Sequence, residues 1–216
     1  MPYVTALLND YRKKHKYDKY FCGKGIDIGC RRDILSKDVF TKITNIDPYD
    51  NFKNPLNDAN SCSNIPDNTY DFVYSCHCLE HMVDPYIAFK NWLRICKPNG
   101  YMIHAIPHEL FYEKNIWPSR FNHDHKTSWT FEWKSELPNS IHTPEFLDHF
   151  SSVIDIISIK TILENFDCSR FMEDQTSVHK LGANGTPATQ NLKTMDIRQL
   201  IKYTAICQIE FIVRKI

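Results

Sequence analysis

Four short apolar runs lie in the first half of the chain, separated by longer polar or amphipathic segments. Each run has the composition and flanking turn residues of a buried strand, and together they predict strands at 26–28, 43–46, 71–75 and 101–107. The second strand is predicted to stop at Asp47-Pro48, since proline cannot continue a central ladder of hydrogen bonds. The pattern therefore predicts a sheet of short strands.

Helical periodicity marks the segments around these strands. At 80–97 the apolar positions recur every three or four residues, on one face of a predicted helix that ends in the turn at 97–100. These apolar positions are Met82, Tyr86, Phe89, Leu93 and Cys96. Segment 4–17 has a helical composition, and segment 143–145 has the N-cap threonine and first-turn proline of a helix start.

The alternation of strands and helices determines the predicted fold class. Crossover connections of this kind build an α/β fold, in which a mainly parallel sheet carries helices on both faces. Ligands bind such sheets at the carboxyl ends of the strands, so the chemistry is expected in the loops that follow them. Segments 153–162 and 201–213 are also strand-like, and the polar segment 165–193 between them is predicted to be a flexible surface loop.

Length and composition limit the range of functions. A chain of 216 residues, 42% of them hydrophobic, is long enough for one domain with a real core, so 1–216 is predicted to be a single domain. Basic and acidic residues both number 26, which leaves no net positive charge to hold nucleic acid. We recognise neither a secretion signal nor a run long and apolar enough to span a membrane. The eight cysteines lie mostly in or beside apolar runs, which is typical of reduced thiols in a cytoplasmic protein.

Four motifs occur in order between residues 23 and 107. The first is the glycine-containing turn GIDIGCRRD at 25–33, and the second is the Asp-Ala pair at 58–59. The third, IPDNTYDFVYS at 65–75, is followed by Leu-Glu-His at 79–81, and the fourth, LRICKPNG, occupies 93–100. Their order and spacing resemble those of class I methyltransferases, and in particular the type 11 branch of that family.

The resemblance implies a Rossmann-like fold with a mainly parallel, seven-stranded sheet. It also implies S-adenosylmethionine (SAM) as the cofactor. Gly29 lacks a Cβ and lets the backbone approach the cofactor, where the amides of the following turn favour its methionine carboxylate. Asp27, on the strand just before this turn, belongs to the same motif.

Four further positions match cofactor-binding positions of the family. Asp47 is expected to accept hydrogen bonds from the ribose hydroxyls, and Asp58 to contact the adenine amino group. The backbone around Ser75 and Cys76 is expected to line the methionine arm. Outside the motif context, either aspartate would be interpreted as a carboxylate that caps a turn.

The first motif departs from the family pattern at Arg31 and Asp33, where two further glycines are usual. If either position requires a positive φ, the side chain costs on the order of 1 kcal/mol. Arg31 is a candidate for pairing with the methionine carboxylate, with a solvated arginine as the alternative. The altered turn is also the one feature that supports a fold that has lost catalysis.

Histidines cluster after the fourth strand and supply the candidate bases. Methyl transfer to a hydroxyl needs a group that takes its proton, and an imidazole suits this role near neutral pH. We expect His108 or His125 to act as this base, with His81 as the next candidate. His104 lies inside the fourth strand and is expected to pack in the core.

Two histidine pairs also have the spacing of metal ligands. They are His77 with His81, and His123 with His125. No clustered carboxylate with convincing spacing accompanies either pair, so no metal site is predicted.

The segment 108–142 is rich in aromatic residues, histidine and charge, and is predicted to be an insertion on the acceptor side. Aromatic faces with hydrogen-bonding neighbours suit a sugar, and also many other polar small molecules. We therefore predict O-methylation of a small polar acceptor, such as a nucleotide-linked or glycan sugar in carbohydrate biosynthesis. N-methylation of an amino sugar or small amine and a non-catalytic scaffold role both stay open.

Overall fold

A computed structural model describes residues 4–119, 122–167 and 205–216. Its helices are α1 (Val4–Lys14), α2 (Pro85–Ile95) and α3 (Thr143–Asp148). Its strands are β1 (Gly23–Ile28), β2 (Ile43–Tyr49), β3 (Tyr70–Cys76), β4 (Cys96–Pro107), β5 (Ser128–Thr130), β6 (Ser140–His142), β7 (Ile154–Ile162) and β8 (Gln208–Lys215). Short 3₁₀ turns lie at Tyr17–Lys19 and Leu79–His81, and a π-helical turn lies at Glu109–Glu113. Most of the predicted loop, 168–193, lies outside the described residues.

The main sheet has the strand order β2-β1-β3-β4-β8-β7. The first four strands in this order are parallel, and β8 pairs antiparallel with both β4 and β7. The predicted α/β class with a mainly parallel sheet is confirmed. The sheet has six strands within the described residues, against the seven that the family resemblance implies.

Helices cover both faces of this sheet, as predicted. On one face, Phe89 and Trp92 of α2 join the core that contains Val73 of β3. On the other face, Leu8 of α1 packs with Ala105 of β4. All five side chains are buried. Full burial of each large apolar side chain contributes roughly 1.5–3 kcal/mol, so the two layers hold the strand ends in fixed positions.

The predicted helix at 80–97 is wrong at both ends, and the error matters for the site. Asp84 accepts hydrogen bonds from the backbone N–H groups of Tyr86 and Ile87, and Pro85 occupies the first helical turn, so α2 begins only there. The preceding residues form a separate 3₁₀ turn, Leu79–His81. At the other end, residues 96–100 already belong to β4.

The second strand also runs further than predicted. It continues through Asp47-Pro48 to Tyr49, because β2 is an edge strand and the missing proline N–H breaks no pairing with a strand beyond it. The first residue after the actual strand end is therefore Asp50.

The segment between β4 and α3 folds against the carboxyl end of the sheet. The backbone N–H groups of Lys126 and Thr127 donate to the carbonyl oxygen of Glu80, at 2.8 and 3.2 Å. Trp129 of β5 is fully buried and packs edge-on against Phe146 of α3.

In the described part of the chain, no helix combines the length and apolar character that a membrane span requires.

Candidate active site

A cavity of about 620 Å³ lies beyond the carboxyl ends of β1 and β3. One wall is the turn after β1, with Gly29, Arg31 and Arg32, together with Phe52. The buried side chain of Glu80 also lines the cavity, next to other polar groups. This is the position at which parallel sheets of this class bind their ligands.

The turn after β1 has the backbone geometry that the motif demands. Gly29 has a φ of +75°, and a Cβ there would lie 2.5 Å from Sγ of Cys78. Its N–H donates to the carbonyl oxygen of Tyr49, and the N–H of Arg31 donates to the Asp50 carboxylate at 3.1 Å. Asp50, at the end of β2, therefore braces the turn.

Arg31 stands where the family pattern has a glycine, and its backbone φ of +44° is strained for a residue with a side chain. Its side chain is exposed and lines the cavity. Asp33 does not adopt a positive φ. Its carboxylate instead accepts a hydrogen bond from the N–H of Thr5 at 2.7 Å, which ties the turn to the start of α1.

Asp27 also lines the cavity, but its carboxylate is buried. One carboxylate oxygen accepts a hydrogen bond from the N–H of Leu35 at 2.8 Å. Burial raises the pKa of Asp27 to about 8, although the bond from Leu35 opposes the rise.

The structure does not place Asp47 or Asp58 among the residues that line this cavity. Asp47 accepts hydrogen bonds from Tyr70 and Asn45, and pairs with Lys24 at 3.3 Å. Asp58 accepts bonds from Asn60, in a local turn of the kind that an isolated aspartate forms.

Of the two predicted positions at the end of β3, one lines the cavity and the other does not. Cys76 lines the cavity. The side chain of Ser75 is buried beneath it and makes a 2.7 Å hydrogen bond to Nδ1 of His104. His104 is fully buried, as predicted for a packed position within the strand.

The three candidate bases separate in space. His81 and His125 both line the cavity, with ring centroids 4.8 Å apart. His108 does not. It is fully buried, Nδ1 accepts the N–H of Leu110, and Nε2 lies 2.9 Å from the carboxylate of Glu132. The expectation that His108 points towards the acceptor side therefore finds no support in the geometry, which gives this histidine a role in capping the π-helical turn.

Two carboxylates that the sequence analysis did not propose as site residues lie beside these histidines, and of the two only Glu80 lines the cavity. Glu113 lies 2.5 Å from Nδ1 of His125. Glu80 lies 3.8 Å from Nε2 of His125 and 3.7 Å from Nε2 of His81. The expectation that no carboxylate clusters with the histidines is therefore wrong. The exposed His123 takes no part in this group.

Burial and proximity alter the acidity of these groups. Burial raises the pKa of Glu80 to about 7, despite the opposing influence of His125. Burial alone would lower the pKa of His125, but the hydrogen bond to Glu113 and the nearby Glu80 raise it above the ordinary value. Burial lowers the pKa of His81 to about 4. Perturbed groups of this kind in a cavity are typical of functional sites.

A family model described as a methyltransferase domain matches residues 4–169, well over half of the chain. The chain belongs to the methyltransferase family. This membership confirms the predicted enzyme class, a class I methyltransferase with SAM as its cofactor.

Solved structures agree with this methyltransferase in fold. The YcgJ protein from Bacillus subtilis is 13% identical with a TM-score of 0.55, over 95% of this chain and 97% of that one. A SAM-dependent methyltransferase from Archaeoglobus fulgidus is 19% identical with a TM-score of 0.55, over 99% of this chain and 95% of that one. No curated protein matches the sequence.

Proposed function

We propose that this methyltransferase binds SAM against the turn after β1. The cavity of about 620 Å³ has the size of a small-molecule site. Gly29 allows close approach of the backbone, and the exposed guanidinium of Arg31 suits the methionine carboxylate. Phe52 is exposed at the cavity edge, where its ring suits the adenine face. When bound, SAM supplies a methyl group activated by a positively charged sulfur.

Asp47 and Asp58 are not part of this proposal, because neither side chain lines the cavity. Asp50 is the better candidate for a carboxylate that acts at the end of β2, and it does so by fixing the N–H of Arg31. Asp27 and Cys76 would contribute to the cavity floor.

We further propose that the enzyme O-methylates a small polar acceptor, such as a nucleotide-linked or glycan sugar. The observation that carries this proposal is that Glu80, His81 and His125 line the same cavity as the glycine turn. These side chains offer acceptor atoms for a hydroxyl group, whereas an amine acceptor needs less help with its proton. Tyr112 also lines the cavity, and an aromatic side chain in the lining suits a sugar acceptor.

A product screen tests the acceptor class. The enzyme would be incubated with SAM and panels of sugar nucleotides, free glycans and small amines, and methylated products would be identified by mass spectrometry. An O-methylated sugar is the expected product. Methylation of amines alone would contradict the proposal.

A pair of histidine variants tests the site. His125→Ala should lower kcat by about 10²-fold or more with SAM affinity near that of the parent, because removal of a group that handles the acceptor proton has this effect. His108→Ala is the matched buried control, and it should act through the melting temperature instead. If turnover depends on His108 and not on His125, the acceptor lies elsewhere.

A cytoplasmic location and a small-molecule acceptor, without nucleic acid or membrane partners, stay predictions. The free cysteines of the described residues support the first of these.

A further inference from the structure

We propose that Glu80, His81 and His125 form a binding site for a divalent transition-metal ion. One ring nitrogen of each histidine and a carboxylate oxygen of Glu80 all lie within 4.8 Å of one another, and Nε2 of His81 and of His125 lie 3.7 and 3.8 Å from Glu80. The site opens onto the cavity that the proposed function assigns to SAM and the acceptor.

The outer nitrogen of each histidine is anchored in the way that metal ligands require. Nδ1 of His81 faces the backbone carbonyl oxygen of Asp124 at 3.3 Å, and a carbonyl can only accept a hydrogen bond. Nδ1 of His125 faces the carboxylate of Glu113 at 2.5 Å. Ligating histidines commonly donate their second N–H to a backbone carbonyl or a carboxylate, which fixes the tautomer and directs the other nitrogen at the ion.

This tautomer leaves three electron-rich atoms facing one another. With Nδ1 protonated, Nε2 of each neutral histidine presents a lone pair towards Glu80. Glu80 itself is 1% exposed, and among the described residues its carboxylate makes no hydrogen bond to another residue. Three converging acceptors repel one another unless a proton or a metal cation lies between them.

The spacing favours an ion over a shared proton. Hydrogen bonds join atoms at about 2.6–3.2 Å, and Glu80 is 3.7 and 3.8 Å from the two Nε2 atoms. Ligands placed tetrahedrally around an ion at about 2.0–2.1 Å lie roughly 3.4 Å apart. The two distances from Glu80 would therefore need to shorten by only a few tenths of an ångström, and the widest pair in the group, at up to 4.8 Å, by roughly an ångström.

The donor set also indicates the class of ion. Two imidazoles and one carboxylate suit Zn²⁺, Fe²⁺ or Co²⁺ better than Mg²⁺ or Ca²⁺, which prefer oxygen ligands. Three protein ligands leave a position open to the cavity, as in catalytic rather than structural sites. Glu113 adds a second negative charge behind His125, which further favours a dication.

The role of the ion, though not its binding, rests on the proposed function. At the open position a metal ion would coordinate the acceptor hydroxyl and lower its pKa, which promotes loss of its proton to solvent. With the ion bound, His125 would assist deprotonation by holding the ion and would not take the proton itself. The bound oxygen would then be held beside the cavity wall formed by Arg31.

Direct metal binding tests the site without reference to activity. Chelator-treated protein would be titrated with ZnCl₂ by calorimetry and with CoCl₂ by visible absorption, and SAM affinity would be measured in parallel. We expect one equivalent of Zn²⁺ to bind and the Co²⁺ complex to show the absorption of a low-coordinate site. Glu80→Gln, His81→Ala and His125→Ala should each weaken Zn²⁺ binding by at least about 10²-fold, and Glu113→Gln by about 10- to 100-fold.

His123→Ala provides the matched control, since His123 is an exposed histidine in the same loop and should leave Zn²⁺ affinity unchanged. Circular dichroism would verify that each variant folds, and the two conservative carboxylate-to-amide changes keep the test valid if a histidine variant does not. No binding by the parent, or equal binding by parent and ligand variants, would overturn the metal site. Loss of SAM binding alone would instead count against the proposed function, because the two titrations are independent.

Discussion

Two buried carboxylates, Glu210 and Glu80, lie in very different surroundings. Glu210 is fully buried on β8 and pairs with the fully buried Arg12 of α1, whose NH2 lies 2.6 Å from it. Arg12 Nε donates to the same carboxylate at 2.7 Å, and the hydroxyl of Tyr17 donates to its other oxygen at 2.8 Å. Glu80 is equally inaccessible but faces two histidine nitrogens at distances too long for hydrogen bonds.

The difference indicates what each carboxylate does. A buried charge is tolerated in a stable fold when an opposite charge and hydrogen bonds compensate it, as they do for Glu210. Glu210 therefore ties α1 to the sheet. A carboxylate without such compensation destabilises the ligand-free protein. Its presence in a cavity is explained when a bound ligand supplies the missing positive charge. Glu80 is therefore the functional member of the comparison.

The largest expected effect comes from Glu210→Gln. This change leaves the Arg12 guanidinium buried without a counter-charge, which should lower the free energy of unfolding by about 3–5 kcal/mol in urea denaturation. Arg214→Ala, which removes an exposed pair with Asp155, is the control and should have little effect. A small loss for Glu210→Gln would mean that burial of this pair contributes nothing to the link between α1 and β8.

Glu80→Gln should have the opposite effect on stability. In metal-free protein, the free energy of unfolding should stay the same or rise by about 1 kcal/mol, because a neutral amide costs less to bury than an unpaired carboxylate. Turnover should nevertheless fall by about 10²-fold or more. A destabilisation as large as that of Glu210→Gln would show that Glu80 has a structural partner and would remove the contrast.

Asp27 is intermediate between Glu210 and Glu80, since it is buried and its carboxylate accepts one hydrogen bond, from Leu35. It provides the last test of the comparison. Its folded pKa of about 8 lies above the ordinary value of 3.8, so its contribution to stability is complete below pH 4 and is lost as the pH rises towards 8. Burial is the main cause, while Asp33 adds to the rise and Arg12 and Lys53 oppose it.

Asp27→Asn removes this titration. The variant should therefore gain stability relative to the parent between pH 5 and pH 8, by at least about 1 kcal/mol, because one pKa unit corresponds to about 1.4 kcal/mol. Urea denaturation of both proteins across this range measures the difference. A difference that does not change with pH would show that Asp27 keeps an ordinary pKa.

Much of the fold was predictable because its information is local. Strands buried on both faces appear as short apolar runs, and the glycine at the end of β1 is required by its positive φ, which few other residues tolerate. The boundaries of β2 and α2 were harder to predict from the sequence. Whether Pro48 ends a strand depends on which edge of the sheet it occupies, and whether the 80–97 periodicity is one helix depends on the cap at Asp84.

By itself, the sequence determined the order of the main-sheet strands, the turn at Gly29 and the family to which they belong. Only the tertiary structure decided that His125 lies between Glu80 and Glu113 while His108 is buried away from the cavity. The physical reason is that periodicity fixes which face of an element a side chain occupies, but not what packs against that face. His125 comes from a distant loop, which is held there by hydrogen bonds to the Glu80 carbonyl that form only in the folded chain.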